Sequence, residues 1–133
     1  MILQQVAYHV FEHESAEPWA TDRFGWHQMD GQVVLTFKGQ SMLFISWGNG
    51  PIQYSIEQKD HSFFNDGLLL EMEMSQHPYW QPLINQEIVL SYVDEQHQVL
   101  AATHGENNLF ISSQYDDGMF GGDCVRVSHA NPL

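Results

Sequence analysis

Two stretches of this chain, Gln32 to Ser46 and Gln98 to Ser112, align residue for residue without a gap. They share Gln32/Gln98, Val33/Val99, Gly39/Gly105 and the run Leu43-Phe44-Ile45-Ser46 against Leu109-Phe110-Ile111-Ser112. Each copy reads as an apolar strand, a turn holding a glycine and a second apolar strand, which is the pattern of a β-hairpin. Two copies are too few for a solenoid, whose repeats must stack to bury a continuous core. The copies are therefore expected to be matching halves of one sheet or barrel.

Strand patterns recur outside the repeat. Val6, Tyr8 and Val10 alternate with Ala7, His9 and Phe11, as in a strand whose successive side chains point to opposite faces. Leu68, Leu70, Met72 and Met74 alternate with Leu69, Glu71 and Glu73, giving a strand with one wet face. Glu87 to Val93 is rich in β-branched and aromatic residues, and Asp94-Glu95-Gln96-His97 turns it back into the second hairpin. Val125 and Val127 alternate with Cys124, Arg126 and Ser128, so the second half predicts an up-and-down meander. A further strand is expected over Ile52 to Ile56, after the Gly48-Asn49-Gly50-Pro51 turn. Two segments break this rhythm. Glu14 to Asp30 carries Pro18, Gly25, Trp19, Phe24 and Trp26 without a period, and reads as a loop or short irregular helix. Ser75 to Ile84 opens with Ser75 as a helix cap, but Pro78 and Pro82 limit any helix there to about one turn.

This β framework carries an unusual charge. The chain holds 17 Asp and Glu against 4 Lys and Arg, a formal net charge of -13, in a composition that is 43% hydrophobic and 13% aromatic. Trp19, Trp26, Trp47 and Trp80 supply core material that an acidic disordered segment lacks, so the acidity belongs to the surface of a fold. A field of this sign repels nucleic acid and anionic membrane and attracts a basic protein surface. Arg23, Lys38, Lys59 and Arg126 are dispersed along the chain and make no footprint for nucleic acid. The lone Cys124 excludes an internal disulfide and fits a reducing compartment. Met1-Ile2-Leu3 runs at once into Gln4-Gln5 without a signal-like basic or apolar region, and no apolar run reaches membrane-spanning length. A cytoplasmic protein with no membrane partner is expected.

The chemical motifs are weak. His9-Val10-Phe11-Glu12-His13 matches the HxxEH order, in which two histidines one helical turn apart bind zinc beside a glutamate base. That mechanism needs a helix, whereas the alternation here makes a strand with Glu12 on the face opposite both histidines. His27, His61, His77, His97, His104 and His129 follow no ligand spacing and read as solvated residues of turns and strand ends. Asp116-Asp117-Gly118 with Gly121-Gly122-Asp123 forms an acidic turn that lacks the spacing of a calcium loop. Ser41 has no nucleophile elbow around it, and Cys124 sits in an apolar strand as a small core residue. No catalytic residue, metal ligand or cofactor is assigned.

These readings converge on one globular domain, 1–133, mainly β: about seven or eight antiparallel strands in a small sandwich or partly closed barrel, with one or two short helical turns. The expected function is binding a basic protein, as an immunity or antitoxin-like inhibitor binds a nuclease toxin. Trp19, Asp22, Trp26, Asp30, Asp116 and Asp117 are the candidate contacts, because aromatics ringed by charge are the material of protein-binding hot spots. A ligand-binding or general interaction β domain is the alternative, and a metal-dependent hydrolase built on HxxEH a remoter one.

Overall fold

The structure, a computed structural model, describes residues 1–11, 24–65, 69–114 and 124–133. Among these residues lie ten strands: β1 (Leu3–Phe11), β2 (Trp26–Met29), β3 (Gly31–Phe37), β4 (Met42–Gly48), β5 (Ser55–Lys59), β6 (Leu69–Glu73), β7 (Val89–Tyr92), β8 (Val99–His104), β9 (Asn107–Ser112) and β10 (Val125–Ser128). One 3-10 turn, Gln81–Leu83, stands between β6 and β7. The strands form two antiparallel five-stranded sheets, ordered β5-β4-β3-β1-β6 and β2-β10-β9-β8-β7. They pack as a sandwich and do not close into a barrel. The strand not expected is β2, a four-residue piece at a sheet edge.

The expected meander is present as β7 to β10, each strand hydrogen-bonded to the next. Asp94 closes its first turn by accepting the backbone N–H groups of Gln98 and Val99 at 2.9 and 3.2 Å. The repeated hairpins are β3–β4 and β8–β9, one in each sheet. Their registers differ by one residue. Val33 pairs with Ile45 in the first copy, whereas the aligned Val99 pairs with Ser112, one beyond the aligned Ile111. The turns explain the slip: Phe37 N–H bonds the Ser41 carbonyl around Lys38, Gly39 and Gln40, while His104 pairs with Asn107 around Gly105 and Glu106 alone. Gly39 and Gln40, at φ 96° and 72°, make the longer turn, and Gly105, at φ 59°, makes the shorter one.

Three local expectations are corrected. Trp26–Met29 is a strand rather than part of a loop or irregular helix, because β10 offers it a partner: Trp26 to Met29 pair with Ser128 to Val125. Ile52 and Tyr54 belong to a turn, with Tyr54 at φ 65°, and the strand there is Ser55–Lys59. The helical segment is confined to Gln81–Leu83, where Pro82 occupies the first turn and Trp80, not Ser75, stands at the cap position.

The core lies between the sheets. Leu3, Val6, Tyr8, Leu35, Ile45 and Ile56 from one sheet meet Leu100, Leu109, Ile111, Val125 and Val127 from the other, each at most 1% exposed. Trp80 and Leu83, from the segment carrying the 3-10 turn, are equally buried and pack into the same cluster. At one corner the sheets are tied by Tyr92 Oη donating to the Ile56 carbonyl at 2.7 Å and Ile56 N–H donating to the His97 carbonyl at 2.8 Å. A bridge between Ile2 and Glu87 joins the start of β1 to the approach to β7.

The outer face of β3 is covered as well. Gln32 is fully buried there, and its Oε1 accepts Phe63 N–H at 3.0 Å while its Nε2 donates to Ser62 Oγ at 2.9 Å. Phe64 packs on Phe11 at 4.8 Å between ring centroids and on Trp47 at 5.9 Å. A buried amide on the outside of a sheet thus straps the segment after β5 across it, satisfying its own polar groups in doing so.

Candidate functional site

Charge placement begins with the few cations. Lys38 is exposed in the β3–β4 turn, Lys59 lies over the Phe63 ring at 4.4 Å, and Arg126 is only 6% exposed. The ion pairs between described residues join carboxylates to histidines or to the amino group of Met1: Glu71 with His9, Asp60 with His61, and Glu87 with Met1. His61 lies 2.7 Å from Asp60 and, by hydrogen bond and charge, holds that carboxyl below the usual range. Glu57, Glu71, Glu73, Glu95 and Glu106 are at least partly open to solvent. The described surface therefore carries carboxylates with little fixed positive charge beside them.

Arg126 is placed by β10, whose alternation turns Val125 and Val127 into the core and leaves Arg126 on the outer face. There its guanidinium lies 4.6 Å from the Trp26 ring centroid and donates to Gln28 Oε1 at 3.1 Å and to Gln114 Oε1 at 3.4 Å. Phe24, 55% exposed, stacks on Trp26 at 5.3 Å. The result is an aromatic shelf stiffened by a cation beneath it, a geometry in which guanidinium and indole attract.

The opposite face of β2 points inward. His27 is 0% exposed, with Tyr8 Oη 2.8 Å from its Nδ1, and Trp80 Nε1 donates to that same hydroxyl at 2.8 Å. An indole N–H only donates, so Tyr8 Oη accepts from Trp80 and shares a second hydrogen bond with His27 Nδ1 whose direction follows the imidazole tautomer. Tyr79 stacks on His27 at 4.1 Å and 12°, His77 meets His27 edge-on at 4.5 Å, and His129 meets Tyr79 at 4.2 Å. Three histidines thus gather around one tyrosine, correcting the expectation that His27 is a solvated turn residue. In β2 burial alternates, and Met29 shares the buried face of His27. Among the described residues, no group of three or more His, Cys, Asp or Glu is arranged to hold a metal ion.

Of the predicted contacts, Trp26 opens β2 beside Ser128, and the half-buried Asp30 follows its other end, where its carbonyl accepts Phe11 N–H at 3.2 Å. About 13 Å of extended chain separates them, so they do not form one patch through β2 alone. Trp19, Asp22, Asp116 and Asp117 lie outside the described residues, as do Glu12 and His13 of the HxxEH segment. His9 is on β1, with its Nδ1 3.1 Å from Gln32 Nε2 and its Nε2 3.7 Å from Glu71. Phe24 and Arg126 were not among the predicted contacts; Phe24 stands two residues before Trp26, whereas only the β2–β10 pairing brings Arg126 to it. Cys124 is buried, its thiol 3.8 Å from the Ser113 and Gln114 carbonyls. Among the described residues no helix is long and apolar enough to cross a membrane. Comparison with protein families, curated proteins and solved structures finds no match to this chain.

Proposed function

We propose that this protein binds a basic protein surface, in the manner of an inhibitor that masks a cationic toxin such as a nuclease. The supporting observation is the charge balance: -13 overall, with Arg126 only 6% exposed and with Glu71, Asp60 and Glu87 paired to histidines or to the Met1 amino group. Such a surface accelerates encounter with a cationic partner, toward about 10⁸–10⁹ M⁻¹s⁻¹ at low salt, and disfavours wrong partners of like charge. The Phe24–Trp26 shelf adds an apolar, stiffened element of the kind that carries binding energy once charge has brought two proteins together.

The test is affinity capture from a lysate of the source cell, followed by stopped-flow association with the captured protein. One basic protein at stoichiometric level, with an on-rate that falls steeply from low to physiological salt, is the expected result. Charge reversal at Asp22, Asp30, Asp116 and Asp117 together should slow association. An on-rate indifferent to salt and to all four reversals would refute electrostatic recognition by these residues.

A further inference from the structure

The segment that delivers Trp80 to the core leaves a cleft of about 270 Å³ between itself and the tip of the β8–β9 hairpin. Pro78, Pro82 and Leu83 form its apolar wall, Glu106, Asn107 and Asn108 its polar rim, and Tyr79 and His129 also border it. We infer that this cleft receives one arginine side chain of a basic protein partner, an assignment that rests on the reading under Proposed function and gives it an anchor point.

The chemistry of the lining selects that occupant. Arginine combines an aliphatic stem, which packs on apolar surface, with a planar guanidinium that pairs with a carboxylate in fork geometry and stacks on aromatic rings. Pro78 and Pro82 meet the first requirement and Glu106 the second, while Tyr79, 8% exposed and already stacked on His27, borders the cleft as a fixed wall. The side-chain oxygens of Asn107 and Asn108 are acceptors for the remaining guanidinium N–H groups. Among the described residues that line the cleft none is a lysine or arginine, and Glu106 carries the carboxylate. An anionic occupant would meet that carboxylate and the -13 field together.

The walls are held before any partner arrives. Tyr79 is gripped between its stack on His27 and its edge contact with His129, and its N–H donates to His77 Nδ1 at 3.2 Å. Glu106 rides on a two-residue turn fixed by the His104–Asn107 pairing. A prearranged pocket loses less side-chain freedom on binding, and arginine seated in such pockets is over-represented among the residues that dominate protein interfaces.

The test uses N-acetyl-arginine amide as probe, with the neutral isostere N-acetyl-citrulline amide as control, each titrated into the full chain and followed by amide and ring NMR shifts. Saturable shifts confined to Tyr79, Glu106 to Leu109 and His129 are expected for the arginine probe. Glu106→Gln, in an exposed turn, should leave the remaining spectrum in place and weaken binding about ten-fold, the effect of losing one charge-assisted pair. Shifts scattered over the acidic surface, or citrulline binding equally well, would overturn the pocket. Salt-sensitive capture of a basic protein that survives Glu106→Gln unchanged would also overturn the pocket and leave the broader function standing. A pocket that binds arginine in a protein that captures no basic partner would instead refute the broader function.

Discussion

Single residues decide whether the outer face of the first sheet stays closed. Gln32 holds Ser62 and Phe63 through its amide, so Gln32→Leu leaves the Phe63 N–H and the Ser62 hydroxyl without that partner in a part-buried site. An unfolding free energy lower by about 1–3 kcal/mol is expected from urea titration. Gly31 next to it meets a different constraint. A methyl group there would run into the His9 carbonyl oxygen, which the Val10–Gly31 pairing fixes in place. Gly31→Ala should therefore cost about 1–3 kcal/mol even though alanine is the better strand residue, and an unchanged denaturation midpoint would contradict the close approach. Within the core, Tyr8→Phe removes both the acceptor for the Trp80 indole and the partner of His27 Nδ1. A loss of about 1–3 kcal/mol should appear with a changed Trp80 fluorescence, since the indole loses its only buried hydroxyl acceptor among the described contacts.

At the scale of elements, alternation was readable wherever a strand has one wet face. β1 and β6 were legible for that reason, and so was the β7–β10 meander, where turn chemistry at Asp94 and Gly105 reinforced the pattern. β2 was not, since its four residues mix two aromatic rings, an amide and a methionine, and nothing local says that β10 will pair with them. The repeat shows a subtler limit. The second strands of the two hairpins agree, with Leu43 and Ile45 matching Leu109 and Ile111 on the core side. Their first strands disagree: Val33 and Leu35 face the core in one copy, but Leu100 and Ala102, which align with Val34 and Thr36, do so in the other. A one-residue change in turn length flips a strand, and an ungapped alignment hides it. The candidate contacts were less legible than the fold, because Arg126 joins Trp26 only through pairing across most of the chain. β6 also carries a pH-sensitive clamp. Burial raises the Glu73 pKa, but hydrogen bonds from Ser75 N–H at 2.8 Å and Gln5 Nε2 at 2.6 Å outweigh it and hold the carboxyl below its usual value. A depressed folded value means the stabilisation is present above the unfolded pKa and is lost as pH falls through the folded one. Glu73→Gln should therefore lower the denaturation midpoint at neutral pH and make no difference well below the carboxylate range; a pH-independent deficit would mean the clamp is not electrostatic.

For the whole molecule, the charge that favours a cationic partner also opposes compaction. At -13 the carboxylates repel one another in the folded state more than in an expanded chain. Added sodium chloride should raise the melting temperature until screening is complete, and a flat response would show that the carboxylates lie too far apart to interact. Charge also guards the sheet edges unevenly. β5 and β6 present Glu57, Lys59, Glu71 and Glu73, whereas β7 carries none and leaves Val89 59% exposed. Repulsion over the whole surface must therefore discourage edge pairing there, and screening it should make β7 the first route to association.

The pairing of β2 with β10 also governs when this sandwich is able to form. As the chain leaves the ribosome, β1 and β3 meet early, but β2 between them has no neighbour in its sheet until β10 is made. His27 and Met29 cannot be held in their buried places before then, and the first sheet waits with one side of its core uncovered. Contacts so distant in sequence make for slow folding. A nascent chain stalled short of Val125 should consequently remain bound by chaperones, and release should follow within the few residues that complete β10.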